Sequence, residues 1–495
     1  MTNLPNSIIV PQIIVWWNII KSQKTYDVSQ WTKNSLTRNL SKHAPHNWAE
    51  AEWFVIDSEW NPYVFDNDWF IQVWQNNNLN IRDISTCPVS EENINMQIRN
   101  FSKDWIFGSG IWTITQELYM PTIELSLDQG YSTDELFTIL VKSFYEIIGY
   151  LNTHWLEYLP CGNLPINTPN IPNLSNEYYK YLFEQRDGWR IWDFRWAAFQ
   201  IHRYAENYPL SIFIFNKIRH VLPLFLGLSA NSPFAGWKYL WNVSERTDSK
   251  FSWKMTWIPN PINNQFLVQL QKWINTNIKS VTPYYFAVRY PRVDIKTIEN
   301  CSMDMVWDIA LMFCLVDINY RFTQKLKAIY LEAQDNWIDP SSLLPSSLFG
   351  DEVEESSIWT NILQTNFIDT IRYWTRGELS VLWRWKIPFK KFMYEFLEFI
   401  DEIPSIIPSF VSKSFDLKNT DFTNSIVRWI FQNWNPAEIA LNDFWLLTAD
   451  VSNPIQLNYK DLTDYMVSMS INFKRQIFSL LTQIKNEENM TDSSL

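Results

Sequence analysis

Two glutamates near the start of the chain alternate along a run that has the pattern of a β-strand. The run covers residues 48–57, has the sequence WAEAEWFVID, and ends at a turn before Pro62. Alternate residues of a strand point to one face, so Glu50 and Glu52 share a face. Neighbouring carboxylates repel each other unless a cation lies between them, and Mg²⁺ takes carboxylate oxygens. The run fits either a metal-binding strand or an exposed sheet edge with two solvated acids.

A second acidic run covers residues 116–126, with the sequence QELYMPTIELS. The alternation places Thr122, Glu124 and Ser126 on one face of a strand, and Glu117 precedes them. A capping box at residues 132–135, STDE, then starts an amphipathic helix.

A third alternating run, residues 196–204, places Ala198, Gln200 and His202 on one face. Histidine changes its charge near neutral pH and is a common ligand and general base. A single histidine in a strand fits a structural role as well as a chemical one.

A polar loop follows an apolar helical run over residues 212–226. It begins with LSANSPF at residues 228–234 and reaches SERT at residues 244–247. Serine and asparagine supply both donors and acceptors, and Pro233 stiffens the turn. Arg246 has the geometry to hold a phosphate or carboxylate with two hydrogen bonds. An ordinary helix-to-loop connection with a solvated arginine would look the same on local chemistry alone.

This loop resembles the LALSANSPF signature of the glutamate–cysteine ligase family, of the plant and bacterial carboxylate–amine ligase type. In that family a Ser-x-Arg like Ser244-Glu245-Arg246 follows the signature. The run at residues 48–57 resembles the family's opening acidic strand, with Trp48 where glycine is usual. Residues 116–126 resemble its second acidic strand, and Gln200-Ile201-His202 resembles its Q-V-H-V strand. The resemblance extends over residues 46–400.

One block departs from the family pattern. The family has E-x-R-x-x-D where this chain has YYFAVRYPRVD at residues 284–294. Arg289 matches the family arginine, but Ala287 replaces the glutamate and Arg292 replaces the aspartate. If that glutamate holds a metal in the family, this chain has lost one anchor and gained a positive charge.

The resemblance implies an α+β fold, with an antiparallel sheet of glutamine-synthetase-like type packed with helices and a helical C-terminal part. ATP and Mg²⁺ would lie on the acidic face of the sheet. The implied metal ligands are Glu50, Glu52, Glu117 and Glu124, and the implied catalytic cations are Arg246 and Arg289. The implied substrate-binding residues are Gln200, His202, Ser229, Asn231, Ser232 and Ser244.

The implied activity is ATP-dependent amide-bond formation through an acyl phosphate, by family default between glutamate and cysteine. A carboxylate is a poor acyl donor, so phosphorylation precedes attack by the amine. Phosphoryl transfer needs metals to neutralise oxygens and cations on the transferring group. No residue of the sequence stands out as the base for the amine.

Composition limits the partners. A net charge of −12 argues against nucleic acid or an anionic membrane as the main partner. The four cysteines, Cys87, Cys161, Cys301 and Cys314, are far apart and lack metal-binding spacing, which favours a reducing cytoplasm. The apolar run at residues 8–20 is too short to span a membrane and has no basic residue before it. We expect small-molecule substrates, amino acids and ATP, and a possible homo-oligomer.

The predicted organisation has four parts. They are an N-terminal extension (1–45), a catalytic domain (46–400), a helical C-terminal part of the same unit (401–486) and a polar tail (487–495). A long helical run is predicted over residues 303–333, with further helices over 265–278, 386–402, 423–434 and 458–486.

Two other interpretations remain open at this stage. A non-catalytic or substrate-diverged relative would keep the fold and bind a nucleotide, an amino acid or a protein partner. The aromatic residues could alternatively form sugar-stacking platforms, but the tryptophans are spread along the whole chain at positions typical of a core.

Overall fold

The computed structural model describes nineteen segments of one unit, His43–Leu495. The described residues are 48–63, 80–81, 107–108, 112–117, 119, 121–127, 133–166, 195–252, 258–259, 261–263, 287–289, 297–349, 357–373, 377–382, 385–417, 422–433, 435–444, 446 and 455–492. The predicted N-terminal extension, the predicted helix over residues 265–278 and Arg292 lie outside them.

The described chain alternates between strands and helices. The strands are β1 Trp48–Ile56, β2 Asn80–Ile81, β3 Phe107–Gly108, β4 Trp112–Gln116, β5 Thr122–Leu127, β6 Glu157–Leu159, β7 Ala198–Tyr204, β8 Phe234–Ala235, β9 Lys238–Tyr239, β10 Val288–Arg289, β11 Thr297–Asp304, β12 Glu378–Leu382, β13 Trp385–Pro388 and β14 Ile455–Gln456. The helices are α1 Thr133–Thr153, α2 Tyr208–Ser229, α3 Glu245–Ser252, α4 Ile309–Asn336, α5 Ser346–Phe349, α6 Ser357–Tyr373, α7 Phe389–Ile400, α8 Ser409–Ser414, α9 Phe422–Asn433, α10 Pro436–Asp443 and α11 Tyr459–Asp492, with a 3₁₀ turn at Pro340–Leu343.

Nine of the described strands form one antiparallel sheet. Its order is β10-β11-β7-β1-β5-β4-β3-β2, and β6 pairs with the second half of β1 beside β7. Two small sheets, β12–β13 and β8–β9–β14, lie outside it. The predicted mixture of helices and an antiparallel sheet is confirmed.

The sheet has one apolar face and one acidic face because β1 alternates along its length. Ala49, Ala51, Trp53 and Val55 are buried on the apolar face. The Trp53 ring packs 5.0 Å from the Tyr158 ring of β6, and Phe473 of α11 stacks on Tyr158 at 4.8 Å. Helices therefore cover this face, and Glu50 and Glu52 point to the other.

Local capping fixes where the two long central helices begin. The Asn207 side chain accepts a hydrogen bond from the Leu210 amide at the start of α2. The Asp308 carboxylate does the same for the Ala310 and Leu311 amides at the start of α4. The prediction of a helix from residue 303 was therefore wrong at its start. Residues 303–304 end β11, and the helix begins only after the Asp308 cap.

Helix α2 is apolar because it lies in the core. It is long and apolar enough to cross a membrane by length and composition, and 83% of its apolar window is buried inside the protein. A core helix passes the same test, so α2 supports no membrane assignment.

The C-terminal third of the described chain is helical, as predicted. Helices α7, α9 and α11 match the predicted runs over residues 386–402, 423–434 and 458–486 within a few residues at most ends, although α11 continues to Asp492. Helix α11 returns to the main sheet, so this part packs on the same core as β1.

Candidate active site

The register of five neighbouring strands gathers the polar side chains on one face. Across β1, β5 and β7, Glu50 lies opposite both Ser126 and Gln200, and Glu52 lies opposite Glu124. On the far side of β7, His202 lies opposite Glu299 of β11, and Glu299 lies opposite Arg289 of β10. Residues opposite each other in an antiparallel pair point to the same face. These residues form the acidic face.

The first cluster on the acidic face contains three carboxylates, from Glu52, Glu117 and Glu124. Each offers one ligand oxygen, and these atoms lie within 4.8 Å of one another. Glu52 is fixed in place, because its carboxylate accepts hydrogen bonds from the Gln200 side-chain amide at 2.6 Å and the Ala198 backbone amide at 2.8 Å. The sequence-predicted pair Glu117 and Glu124 thus lies beside Glu52.

Burial and repulsion act together on Glu124. Burial raises the pKa of its carboxyl well above the ordinary value, and the nearby Glu50, Glu117 and Glu52 raise it further. A cation among these carboxylates would lower the pKa of Glu124 again, because its charge would offset both causes.

The second cluster combines two carboxylates with an imidazole. One ligand atom each from Glu50, His202 and Glu299 lies within 4.8 Å of the others. The His202 Nε2 atom is 3.2 Å from the Glu50 Oε2 atom, and the Ser126 hydroxyl donates to the other Glu50 oxygen at 3.2 Å. The structure therefore brings the predicted His202 next to the predicted Glu50.

Arg289 reaches from β10 to Glu299 of the second cluster and to Gln200, which in turn donates to Glu52 of the first cluster. Its Nε donates to the Glu299 carboxylate at 2.5 Å, and an Nη donates to the Gln200 side-chain oxygen at 3.4 Å. Burial alone would lower the pKa of this guanidinium, but Glu299 in particular raises it well above the ordinary value. Arg289 is thus a permanent cation on the acidic face.

The sequence interpretation missed Glu299. Ala287 is buried next to β10, where the family pattern has a glutamate, but Glu299 of the adjacent strand supplies a buried carboxylate to the same region. The alternation of Thr297, Glu299 and Cys301 on one face was a signal in the sequence, since it repeats the pattern of β1.

The predicted signature loop forms a buried network centred on Asp304 at the end of β11. The Asp304 carboxylate accepts hydrogen bonds from the Ser232 hydroxyl at 2.6 Å, the Ser244 hydroxyl at 2.8 Å and the Asn231 backbone amide at 3.0 Å. Burial raises the pKa of Asp304, whereas Arg246 and these hydrogen bonds oppose that shift. The network ties the loop to the strand that carries Glu299.

Arg246 lies inside this network. It is 1% exposed, its Nη1 is 3.6 Å from an Asp304 oxygen, and its other Nη donates to the Cys301 carbonyl at 3.1 Å. Ser229 is equally buried, and its hydroxyl donates to the Leu226 carbonyl within α2. It stays a prediction that Arg246 contacts a phosphate. It also stays a prediction that a substrate contacts Ser229, Asn231, Ser232 and Ser244.

The donor sets fit hard divalent cations. Three carboxylates form the first cluster, and two carboxylates with one imidazole form the second. Mg²⁺ prefers carboxylate oxygens and keeps several water ligands, and Mn²⁺ accepts oxygen together with imidazole. The described residues that would hold such ions are Glu52, Glu117 and Glu124 in one site and Glu50, His202 and Glu299 in the other.

Comparisons with known proteins give matches among solved structures. No protein-family model matches the sequence, and a search of curated proteins gives no significant match. A glutamate–cysteine ligase (gshA) from Francisella tularensis, in complex with AMP, is 10% identical with a TM-score of 0.49, over 90% of this chain and 94% of that one. A bifunctional glutathione synthetase from Pasteurella multocida is 10% identical with a TM-score of 0.43, over 86% of this chain and 52% of that one.

A third solved structure holds the prokaryotic ubiquitin-like protein Pup with its ligase PafA. It is 7% identical to this chain with a TM-score of 0.37, over 90% of this chain and 83% of that one. This chain spans about half the length of the Pasteurella protein. These likenesses concern the path of the backbone, so the chemistry of the acidic face has to follow from its own side chains.

Proposed function

We propose that this chain is an ATP-dependent carboxylate–amine ligase of glutamine-synthetase-like type. The observation that carries the proposal is the acidic face, where two clusters of cation ligands lie on one antiparallel sheet and Arg289 donates hydrogen bonds to Glu299 and Gln200. The motif resemblance of the signature loop and of the acidic strands suggests glutamate as the carboxylate, through its γ-carboxyl, and cysteine as the amine. The reducing cytoplasm is the compartment in which we place it.

Each group on the face has a role in such a reaction. The proposed metal ligands are Glu50, Glu52, Glu117, Glu124 and Glu299, together with His202. Bound Mg²⁺ would neutralise the oxygens of the triphosphate, which the carboxylates alone would repel. Arg289 would stabilise the phosphoryl group during transfer, because its charge lies on the acidic face and does not depend on pH near neutrality.

Positioning comes from the side chains that hold the ligands. Gln200 donates to Glu52 and accepts from Arg289, so it fixes the distance between an acid of the first cluster and the cation. Its position, with His202, also suits recognition of the amino-acid substrate. The signature loop also stabilises this arrangement, because its Ser232 and Ser244 hydroxyls donate to Asp304 at the end of β11.

The proposed reaction has two steps. The substrate carboxylate attacks the γ-phosphorus of ATP, which forms an acyl phosphate and releases ADP. The amine then attacks the acyl carbon, so the amide bond forms, phosphate leaves and the amine loses a proton to solvent or to the departing phosphate. In the proposed reaction Arg289 contacts the phosphoryl group in both steps.

The test is phosphate release by the purified protein with Mg-ATP, glutamate and a panel of amines that includes cysteine, with the amide identified by mass spectrometry. Release that requires both glutamate and one amine is expected. Glu52→Gln and Glu124→Gln variants should lose activity by at least two orders of magnitude, because a shared metal ligand is removed. Glu59→Gln, in an exposed turn after β1, is the matched control and should stay active.

Two results would overturn the proposal in different ways. Full activity in both Glu52→Gln and Glu124→Gln removes the metal assignment. Binding of ATP without phosphate release for any carboxylate and amine in a broad panel indicates a non-catalytic relative that keeps the nucleotide site.

A further inference from the structure

Glu299 pairs with Arg289 and is also one of the three residues that could hold a cation in the second cluster. Its side chain is fully buried on β11. One carboxylate oxygen accepts from Arg289 Nε at 2.5 Å, and the other accepts from the Cys301 thiol at 3.0 Å. The same carboxylate belongs to the second cluster, with Glu50 and His202. A cation in that cluster would therefore compete with Arg289 for Glu299.

The competition has an electrostatic reason. A carboxylate already paired with a guanidinium is a weaker ligand for a second cation, and a divalent ion on Glu299 would repel Arg289. Without a cation beside it, the negative charge of the buried Glu299 would be unpaired, which would destabilise the folded protein. Arg289 is 26% exposed, so it has room to turn from Glu299 toward a ligand above the face.

We propose that Arg289 takes the place of the second divalent cation in the metal-free protein, and that a phosphate group on the ligand draws Arg289 away and opens the site formed by Glu50, His202 and Glu299. This inference rests on the proposed function and adds an order of events. The first cluster binds its metal independently, whereas the second metal and a phosphate bind cooperatively. Besides contacting the phosphoryl group, Arg289 then links metal binding to occupancy by the nucleotide phosphates.

The experiment measures Mn²⁺ binding to the full chain by electron paramagnetic resonance, with and without inorganic phosphate as the probe anion. The wild type should bind one Mn²⁺ tightly and a second weakly. Phosphate should tighten the second site by about tenfold, within the usual range of coupling between sites. Arg289→Gln should bind the second Mn²⁺ tightly without phosphate, and phosphate should no longer change its affinity. Arg372→Gln, at an exposed position on α6, is the control and should keep the phosphate effect.

A second variant covers the case in which Arg289→Gln does not fold. Glu299→Gln should bind one Mn²⁺ only, with no response to phosphate. The proposal is overturned if phosphate leaves the second site of the wild type unchanged, or if the phosphate effect persists in Arg289→Gln. Failure of the proposed function has another signature, since Glu52→Gln would then leave the first, tight Mn²⁺ site unchanged.

A separate observation concerns the tryptophans. The chain has 28 tryptophans and only 10 glycines, although glycine is about 7% of an average protein. Among described residues other than glycine, six have a positive φ angle, and five of them are tryptophan. These are Trp60 (67°), Trp155 (63°), Trp237 (68°), Trp241 (74°) and Trp337 (58°). A positive φ is rare for a bulky side chain and ordinary for glycine.

Four of these tryptophans stand where turns and helix ends specifically favour glycine. Trp155 and Trp337 follow helices α1 and α4. After each of these tryptophans, the backbone amide of the next residue donates to the carbonyl five residues earlier, from Leu156 to Leu151 and from Ile338 to Ala333. This is the hydrogen bond of the Schellman motif, in which glycine is the usual residue at the position of the tryptophan. Gly236 and Trp237 both have positive φ in the two-residue turn between β8 and β9, as a type I′ turn requires. Trp60 closes the turn after β1, where its amide bonds to the Asp57 carbonyl.

Trp237 and Trp241 pack against a small apolar cluster that includes Phe234, but burial of the indole does not offset the unfavourable φ angle at the two helix ends. Trp337 is 95% exposed and Trp155 is 63% exposed. We infer that these five positions are glycine in the protein that its own organism makes. The codon at each position would then be one that this organism translates as glycine and that has been translated as tryptophan in this sequence.

Peptide sequencing by mass spectrometry, on protein purified from the native organism, tests this directly. Glycine is expected at the five positions. Trp53, which has a strand backbone and is buried against Tyr158, is the internal control and is expected to remain tryptophan. Native peptides with tryptophan at the five positions would overturn the inference.

Discussion

Gly162 has no room for a side chain, and replacing it with alanine tests the Asp304 network. A Cβ atom at this position would lie 2.6 Å from the Asp304 Cγ, 2.7 Å from its Cβ and 2.9 Å from its Oδ2. All three distances are below normal van der Waals contact. Asp304 cannot yield easily, because Ser232, Ser244 and the Asn231 amide hold its carboxylate.

The expected loss of stability follows from two terms. Overpacking of a well-packed interior costs about 1–3 kcal/mol. Displacing the carboxylate also breaks at least one hydrogen bond to a buried charged group, which adds about 1.5–3 kcal/mol. Gly162→Ala should therefore lower the free energy of unfolding by about 2.5–6 kcal/mol, a large part of the stability of an ordinary protein.

Urea unfolding followed by tryptophan fluorescence measures this change. Gly149→Ala is the matched control, since the position is inside helix α1 and no described atom other than the helix's own backbone and the neighbouring residues lies within 4 Å of the added methyl group. It should gain about 0.5–1 kcal/mol, because alanine favours a helix more than glycine does. An unchanged unfolding midpoint for Gly162→Ala would refute the network as a rigid support.

Two further predictions concern the backbone and the acidic face. Trp337→Gly should raise the free energy of unfolding by about 1–2 kcal/mol, because the φ angle is 58° there and glycine adopts that angle without strain. Trp429→Gly, inside α9, should instead lower the free energy of unfolding by about 1 kcal/mol. Thermal unfolding of both variants measures these changes, and equal effects in the two variants would contradict the prediction. The raised pKa of Glu124 makes the metal-free protein less stable as pH rises above the ordinary glutamate value, because the unfolded chain ionises first, and this loss ends once the raised pKa is passed. In EDTA, Glu124→Gln should flatten this dependence in urea unfolding, and an unchanged slope would assign it to another group.

The sequence by itself determined the local pattern of the acidic face. Alternation in β1 was enough to place Glu50 and Glu52 on one side, and alternation in β5 did the same for Glu124 and Ser126. Both predictions were confirmed because the period of a strand is a property of the backbone alone. The starts of α1 and of the C-terminal helices were predictable for a similar reason, since caps and apolar periodicity act over a few residues.

Only the tertiary structure decided which strands meet and in what register. Glu299 joins Glu50 and His202 through the pairing of β11 with β7, and nothing local to Glu299 specifies that partner. The same pairing makes residues 303–304 part of a strand, where the sequence alone predicted a helix. Burial of Arg246 against Asp304 is also a tertiary outcome, because a loop arginine has the same sequence signature whether it faces solvent or a buried carboxylate. Hydrogen-bond register between distant strands, rather than residue type, therefore set the composition of the site.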